Sequence, residues 1–467
     1  LYINGSAAGL ALSEGRKQLI SMGAWLLIWP DKAYINTKDL TDFGSLENKR
    51  VTEGEVSFAL CRPDGTVYSG YLAADEAPEE PEAGSLWLDT GGDETALRQY
   101  GQDGWTAVDD VCVRMNAAGI GIGFTAGDGV AVSGCRETAL NGSFPLRSVE
   151  DDYVVVTALP RSLSSQSDPV TVERSVPDMD YVVESGNRLW GCKYGIVNGQ
   201  AVNAIYASKL GDFKNWNCYA GLSTDSYAAS RGSDGAFTGA ADYLGNPLFF
   251  KENCVERVYP SASGAHQIVT VQCAGVKSGS SGSLRVVDGK LYYHSQGGVC
   301  VFDGSMPVHV SQALGEMRYH NAVAGALDGS YYLSAADENG AWHLLVLDTR
   351  QGLWYREDGV EAVGFAPWGG DLYCLTAAGQ LLAMKGSGEN REGPVQWLAE
   401  TGELGLDAPE SRYLVRLSLR LLPEADSTVR AWVSYDEGGS WQPAGSLEGA
   451  GRVQACTLHI RPRRCRQ

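Results

Sequence analysis

Asn187-Arg-Leu-Trp-Gly-Cys192, Ala204-Ile-Tyr-Ala-Ser-Lys-Leu-Gly-Asp-Phe-Lys-Asn-Trp216, Pro247-Leu-Phe-Phe-Lys-Glu252, Leu291-Tyr-Tyr293 and Val301-Phe-Asp-Gly-Ser305 follow one another along the middle of this chain. Each is a short apolar segment rich in aromatic residues, and each closes on Gly, Asp or Asn. Segments of this length and composition read as strands, and the polar closures read as turns. A strand-and-turn scheme that restarts repeatedly is the pattern of stacked four-stranded sheets, not of one catalytic cleft.

The repeat extends outward from there. Aromatic-rich markers recur at Arg188-Leu-Trp190, Leu248-Phe-Phe250, Leu291-Tyr-Tyr293, Tyr331-Tyr-Leu333 and Leu372-Tyr-Cys374. The last four are spaced by about 40 residues, the period of propeller blades. After the marker a second apolar strand ends at Asp, as in Val299-Cys-Val-Phe-Asp303 and Leu344-Leu-Val-Leu-Asp348. Trp25 to Trp29 reads as the same marker ahead of an insertion. The expectation is an all-β chain: a β-propeller of about six or seven blades, an inserted small β-barrel-like module and a C-terminal β-sandwich-like segment. Residues 1–73 are assigned to the first blade or blades, 74–172 to the insertion, 173–402 to the remaining blades and 403–467 to the C-terminal segment. The run Asp75-Glu-Ala-Pro-Glu-Glu-Pro-Glu-Ala-Gly84 reads as an exposed acidic linker. Helix is scarce, with Val310 to Met317 the best candidate.

Bulk composition agrees. The 467 residues include 58 Gly, 22 Tyr and 12 Trp, a bias toward short strands and tight turns. The net charge of −20 repels phosphate and makes free nucleic acid an unlikely primary ligand, although a channel lining can differ from the whole surface. Eleven cysteines, an odd number with no Cys-x-x-Cys pair, sit singly in apolar strands, as buried thiols of a reducing compartment do. No apolar run reaches the roughly 18 residues of a membrane span. The absence of an initial Met and the abrupt end at Gln467 suggest that both ends are cut.

Residues 181–311 resemble phage virion proteins of the packaged-DNA stabilisation or tail-nozzle type, and especially structural proteins of prophages of Gram-positive gut bacteria. The resemblance rests on the residues quoted above together with Asp225-Ser-Tyr227, Gly232-Ser-Asp-Gly235, Trp397-Leu-Ala-Glu-Thr-Gly402 and Arg461-Pro-Arg-Arg-Cys465. It implies a propeller that forms a ring with copies of itself and meets other tail or connector proteins around a DNA channel. It implies localisation to the virion after synthesis in the host cytoplasm, no enzymatic activity and no cofactor. The insertion is not part of the well-described members.

The motifs that could carry chemistry read as structural elements. Ser434-Tyr-Asp-Glu-Gly-Gly-Ser-Trp441 fits an Asp-box, in which Asp436 caps a turn, Gly438 takes positive φ and Trp441 packs beneath. Sialidases repeat that box and need an arginine triad with a Tyr/Glu nucleophile, whereas this chain has one clean copy and no arginine-bearing Arg-Ile-Pro strand. Asp212, Asp234, Asp303 and Asp337 lie beside Gly or at strand ends, as turn residues do. The six histidines show no metal-binding spacing. Gly119-Ile-Gly-Ile-Gly-Phe124 lacks a following helix and reads as a β corner, not a dinucleotide site. Trp87 and Trp105 are the candidates for a carbohydrate platform. They carry the alternative reading, a carbohydrate-binding or carbohydrate-active propeller of receptor-binding or sialidase-like kind. No catalytic, cofactor or metal residue is assigned.

Overall fold

The structure, a computed structural model, describes residues 1–467 apart from 93, 316, 385–395, 403–411, 436–439 and 466–467, with backbone alone at 412, 414 and 462–465. The aromatic markers all land on one kind of element. Trp25–Trp29, Arg188–Val197, Asn246–Phe250, Lys290–Ser295, Ser330–Asp337 and Asp371–Thr376 are each the second strand of an antiparallel meander. Such a strand has a sheet neighbour on each edge and another sheet on at least one face, so its apolar run is unbroken. Leu27, Ile28 and Trp29 are at most 1% exposed, and Tyr293, Tyr331 and Leu333 are fully buried.

Six sheets follow from these markers, spanning residues 18–45, 181–230, 239–272, 285–309, 319–356 and 362–383. The first five have four strands and the sixth has three. Successive sheets pack through separate apolar cores. Ile20, Leu27 and Trp29 of the first meet Val182, Leu189 and Trp216 of the second. Trp190 and Ile205 meet Phe249 and Val258, and Leu248 and Phe250 meet Leu291 and Tyr293. Tyr292 and Val299 meet Tyr331 and Leu345, and Tyr332 and Val346 meet Leu372 of the sixth sheet. Each fully buried side chain of this kind contributes roughly 1.5–3 kcal/mol. The chain is all-β with blade-like sheets; the helical elements among the described residues are three short 3-10 turns. One of them, Gln312–Leu314, is what forms where a helix was expected over Val310 to Met317.

The insertion starts earlier than the sequence suggested. Asn48–Val51 and Ser57–Cys61, expected in the first blade, belong to its seven-stranded half-barrel sheet. There Ser57–Cys61 pairs with Cys112–Asn116, and Asn48–Val51 pairs with Thr171–Arg174 at the other edge. Locally these strands look like blade strands, and only their distant partners reveal the difference. The acidic stretch after Ala74, expected as an exposed linker, is mostly exposed and connects two strands of one small sheet. It is the crossover between Leu72–Ala74 and Leu86–Asp89, which pair in parallel within a small four-stranded sheet. That sheet sends Leu88 and Leu97, each 1% exposed, into the half-barrel core with Leu60 and Val113.

Residues 391–467 form a second compact unit. Arg412–Leu421 pairs with Gln454–Cys465, and Thr428–Val433 pairs with Gln442–Glu448. Thr428–Val433 alternates exposed and half-buried residues, the pattern of a sheet with one wet face.

Candidate functional site

The residues singled out in the sequence converge on the loop between Gln200–Ala207 and Tyr227–Ser230 of the second sheet. Phe213 and Trp216 leave this loop for the core of the first sheet. Phe213 packs 5.4 Å from Trp25 and 5.6 Å from Tyr34, and Trp216 lies 6.3 Å from Trp29, all by ring centroids. The Trp216 indole donates to Phe213 O at 3.0 Å, so its one polar atom is satisfied in the core. Lys214 crosses the face of Tyr34 at 4.2 Å and donates to its hydroxyl at 3.1 Å.

Asn215 points the other way, into the insertion, and is fully buried. Its Oδ1 accepts from Gly129 N at 2.8 Å; its Nδ2 donates to Asp128 Oδ1 at 2.9 Å and Asp212 Oδ2 at 2.6 Å. Asp128 also pairs with Arg174, both side chains being 5% exposed or less. Arg174 Nε donates to Leu46 O at 3.1 Å, just past the last strand of the first sheet. One polar cluster therefore joins the first sheet, the insertion and the second sheet. Gly129 is required by close approach: a Cβ there would sit 2.7 Å from Asn217 O.

Arg188 and the Asp225-Ser-Tyr227 segment hold the loop in shape. The buried Arg188 guanidinium donates to Ser208 O at 2.7 Å, Asp225 O at 2.6 Å and Ser223 O at 3.0 Å. Burial lowers its pKa, against the opposing influence of Asp225. Ser226 Oγ bridges Asn215 O and Cys218 N, each at 3.1 Å. Asn187, at φ 60°, offers its carbonyl to Gly211 N at 2.8 Å.

The remaining motifs are also absorbed by packing. Lys251, 1% exposed, donates to Ser233 O at 2.8 Å and Asn203 Oδ1 at 3.1 Å, with the Phe237 ring 4.5 Å away. Burial lowers its pKa, with Cys254 and Glu256 pulling the other way. Glu256, fully buried, takes two bonds from Arg231 at 2.8 and 3.0 Å. Asp303 caps its own turn, accepting from Ser305 N at 3.1 Å and Ser305 Oγ at 2.6 Å. Those bonds hold its carboxyl below the usual range. His294 is buried, and desolvation, helped by Lys277 and His320, brings its pKa down to about 4.

Among the described residues no group of three His, Cys, Asp or Glu is placed to hold a metal ion. Ten described cysteines are free thiols; desolvation raises Cys61, beside Cys112, to about 12. Trp87 and Trp105 do come together, ring centroids 5.5 Å apart, with Tyr100 5.3 Å beyond Trp105. Trp87 is buried under this contact and its indole donates to Ala74 O at 2.9 Å, while Trp105 is half-buried. Asp436 and Gly438 lie outside the described residues, and Trp441 is 56% exposed. Asp128 and Arg174 were not singled out as site residues in the sequence, because nothing in their spacing announces partners 46 and 87 positions away.

No protein-family model matches the chain, and no curated protein matches it. Among solved structures, Citrobacter koseri AztD aligns over 79% of this chain and 95% of its own at 11% identity, with a TM-score of 0.29. The phage phi92 endosialidase aligns over 78% of this chain and 74% of its own at 9% identity, with a TM-score of 0.22. A puromycin hydrolase S511A mutant complexed with PGG aligns over 79% of this chain and 58% of its own at 11% identity, with a TM-score of 0.24.

Proposed function

We propose that this chain is a non-enzymatic structural protein of a phage tail or head–tail connector, assembling with copies of itself and with other virion proteins around the DNA channel. The observation that carries this reading is where the resemblance residues go. Asn187, Arg188, Lys209 to Trp216 and Asp225 to Tyr227 do not converge on a cleft. They lock a loop that joins two blades to an insertion through a buried Asn215–Asp128–Arg174 cluster. Residues spent on rigidity suit a protein whose work is to hold position under load, with function carried by outward loops and sheet edges. The decisive experiment is mass spectrometry and immunoblotting of particles purified after prophage induction. The chain is expected at a fixed copy number per particle, and its absence from particles overturns the reading.

One observation favours a second reading, a carbohydrate-binding propeller. Register places Trp87, Arg98, Tyr100 and Trp105 on one face of the small inserted sheet, with Leu86, Leu88 and Leu97 on the other. Half-buried aromatics beside Arg98 are a surface on which sugar rings stack. A glycan array probed with the intact chain separates the two: binding that disappears in Trp105→Ala supports the second reading, and a blank array removes it.

A further inference from the structure

The turn that follows Ser57–Cys61 stands against one side of the small inserted sheet, and the two enclose a cleft of about 380 Å³. That volume lies in the roughly 300–1,000 Å³ range of small-ligand sites. Pro63, Leu86 and Val108 give the cleft its apolar surface. Arg62, Tyr68, Gln99 and Asp109 bring to it a guanidinium, a phenol, an amide and a carboxylate. Leu86 and Gln99 are cross-strand partners on the side of the sheet opposite Trp87 and Trp105.

The cleft is held in shape by bonds that leave its polar side chains free. Arg62 N donates to Thr66 O at 2.9 Å, Gly65 N to Arg62 O at 2.9 Å and Tyr68 N to Leu60 O at 2.8 Å. Asp64 caps the turn, accepting from Thr66 N at 2.9 Å. Gly65, at φ 87°, sits so close to the Tyr153 ring that a Cβ would lie 3.2 Å from it. Among the described residues, no hydrogen bond or ion pair engages the side chains of Arg62, Gln99 and Asp109 or the Tyr68 hydroxyl. Arg62 faces the Tyr68 ring, 5.8 Å from its centroid. Arg188, Asn215 and Glu256, by contrast, are engaged by the fold itself. Free polar groups around a concavity with apolar walls are the arrangement of a binding site, not of packing.

We propose that this cleft binds a neutral sugar ring. The lining decides the class. One guanidinium and one carboxylate cancel in formal charge, and Asp109 with its neighbour Asp110 disfavours an anion. A phosphate or an organic acid calls for converging cations, and the lining holds one. A purely apolar ligand would bury the four polar groups without partners, at a cost. A pyranose has a face of C–H groups and a rim of hydroxyls that both donate and accept. Its C–H face suits the Tyr68 ring, Leu86 and Val108. Its hydroxyls offer donors to Asp109, acceptors to Arg62 and both to Gln99. In ligand class the inference rests on the carbohydrate reading above; the site is a different one, on the other side of the small sheet.

The test titrates the full chain with the methyl glycosides of glucose, galactose and N-acetylglucosamine, read by saturation-transfer NMR. At least one is expected to bind, with its ring protons receiving saturation. Asp109→Asn and Arg62→Gln are each expected to weaken that binding by about 10-fold or more, the loss of one hydrogen bond to a charged group. Both side chains are exposed, so the variants are expected to keep the wild-type melting temperature, measured alongside. Binding that survives both changes overturns the proposal, as does glucuronate or inorganic phosphate binding more tightly than the best glycoside. No transfer to any glycoside overturns it too. If a glycan array is then also blank, the carbohydrate reading falls with it; an array signal lost only in Trp105→Ala leaves that reading standing without this site.

Discussion

At the scale of the residue, the Asp128–Arg174 pair illustrates why buried charge depends on complete pairing. Both side chains are nearly inaccessible, and Asn215 and Leu46 O satisfy what the pair leaves over. Arg174→Met strands a buried carboxylate and is expected to cost about 3–5 kcal/mol in urea unfolding. The double change with Asp128→Leu is expected to recover much of that, and additive losses would refute the coupling. His294 supplies a pH signature. Its folded pKa of about 4 lies below the unfolded value near 6.5, so between those values the unfolded chain binds the proton and the folded chain does not. Stability from this group is fully present above pH 6.5 and is lost as pH falls toward 4. The loss amounts to about 3 kcal/mol. A urea-midpoint series should show this slope flattened in His294→Gln relative to wild type; parallel curves would rule it out.

At the scale of the element, the small inserted sheet is fastened by one face. Leu88 and Leu97 enter the half-barrel core, and the opposite face carries the aromatic residues. Leu97→Ala is expected to open a cavity costing about 2–5 kcal/mol. Because the blades have their own cores, hydrogen exchange should rise in the insertion and stay unchanged in the sheets spanning 239–356; uniform loosening would contradict that separation. The blade strands were legible because a doubly flanked second strand imposes an apolar aromatic run, which Leu291-Tyr-Tyr293 and Tyr331-Tyr-Leu333 display openly. Asn48–Val51 and Ser57–Cys61 were misassigned because a strand's local pattern records that it is half-buried, not which strand it pairs with.

At the scale of the whole molecule, charge is unevenly spread. Residues 72–110 hold eleven acids against one arginine, so this short stretch supplies half of the net −20. Crowded like charge opposes the compact state and is screened over about 10 Å at 0.1 M salt. The melting temperature is expected to rise by a few degrees between about 10 and 150 mM sodium chloride. A flat or falling response would show that the acids are already compensated in the fold.

The sequence by itself determined that this is an all-β chain of repeated blade-like sheets. The repeat period, the aromatic second strands and the Asp and Gly turns are local consequences of strand geometry, and they appear wherever such strands are made. It also marked Arg188 and the run from Lys209 to Trp216 as important. What those residues do was decided only by tertiary structure. Asn215 meets Asp128 across 87 positions and Arg174 meets Asp128 across 46, contacts that no spacing encodes.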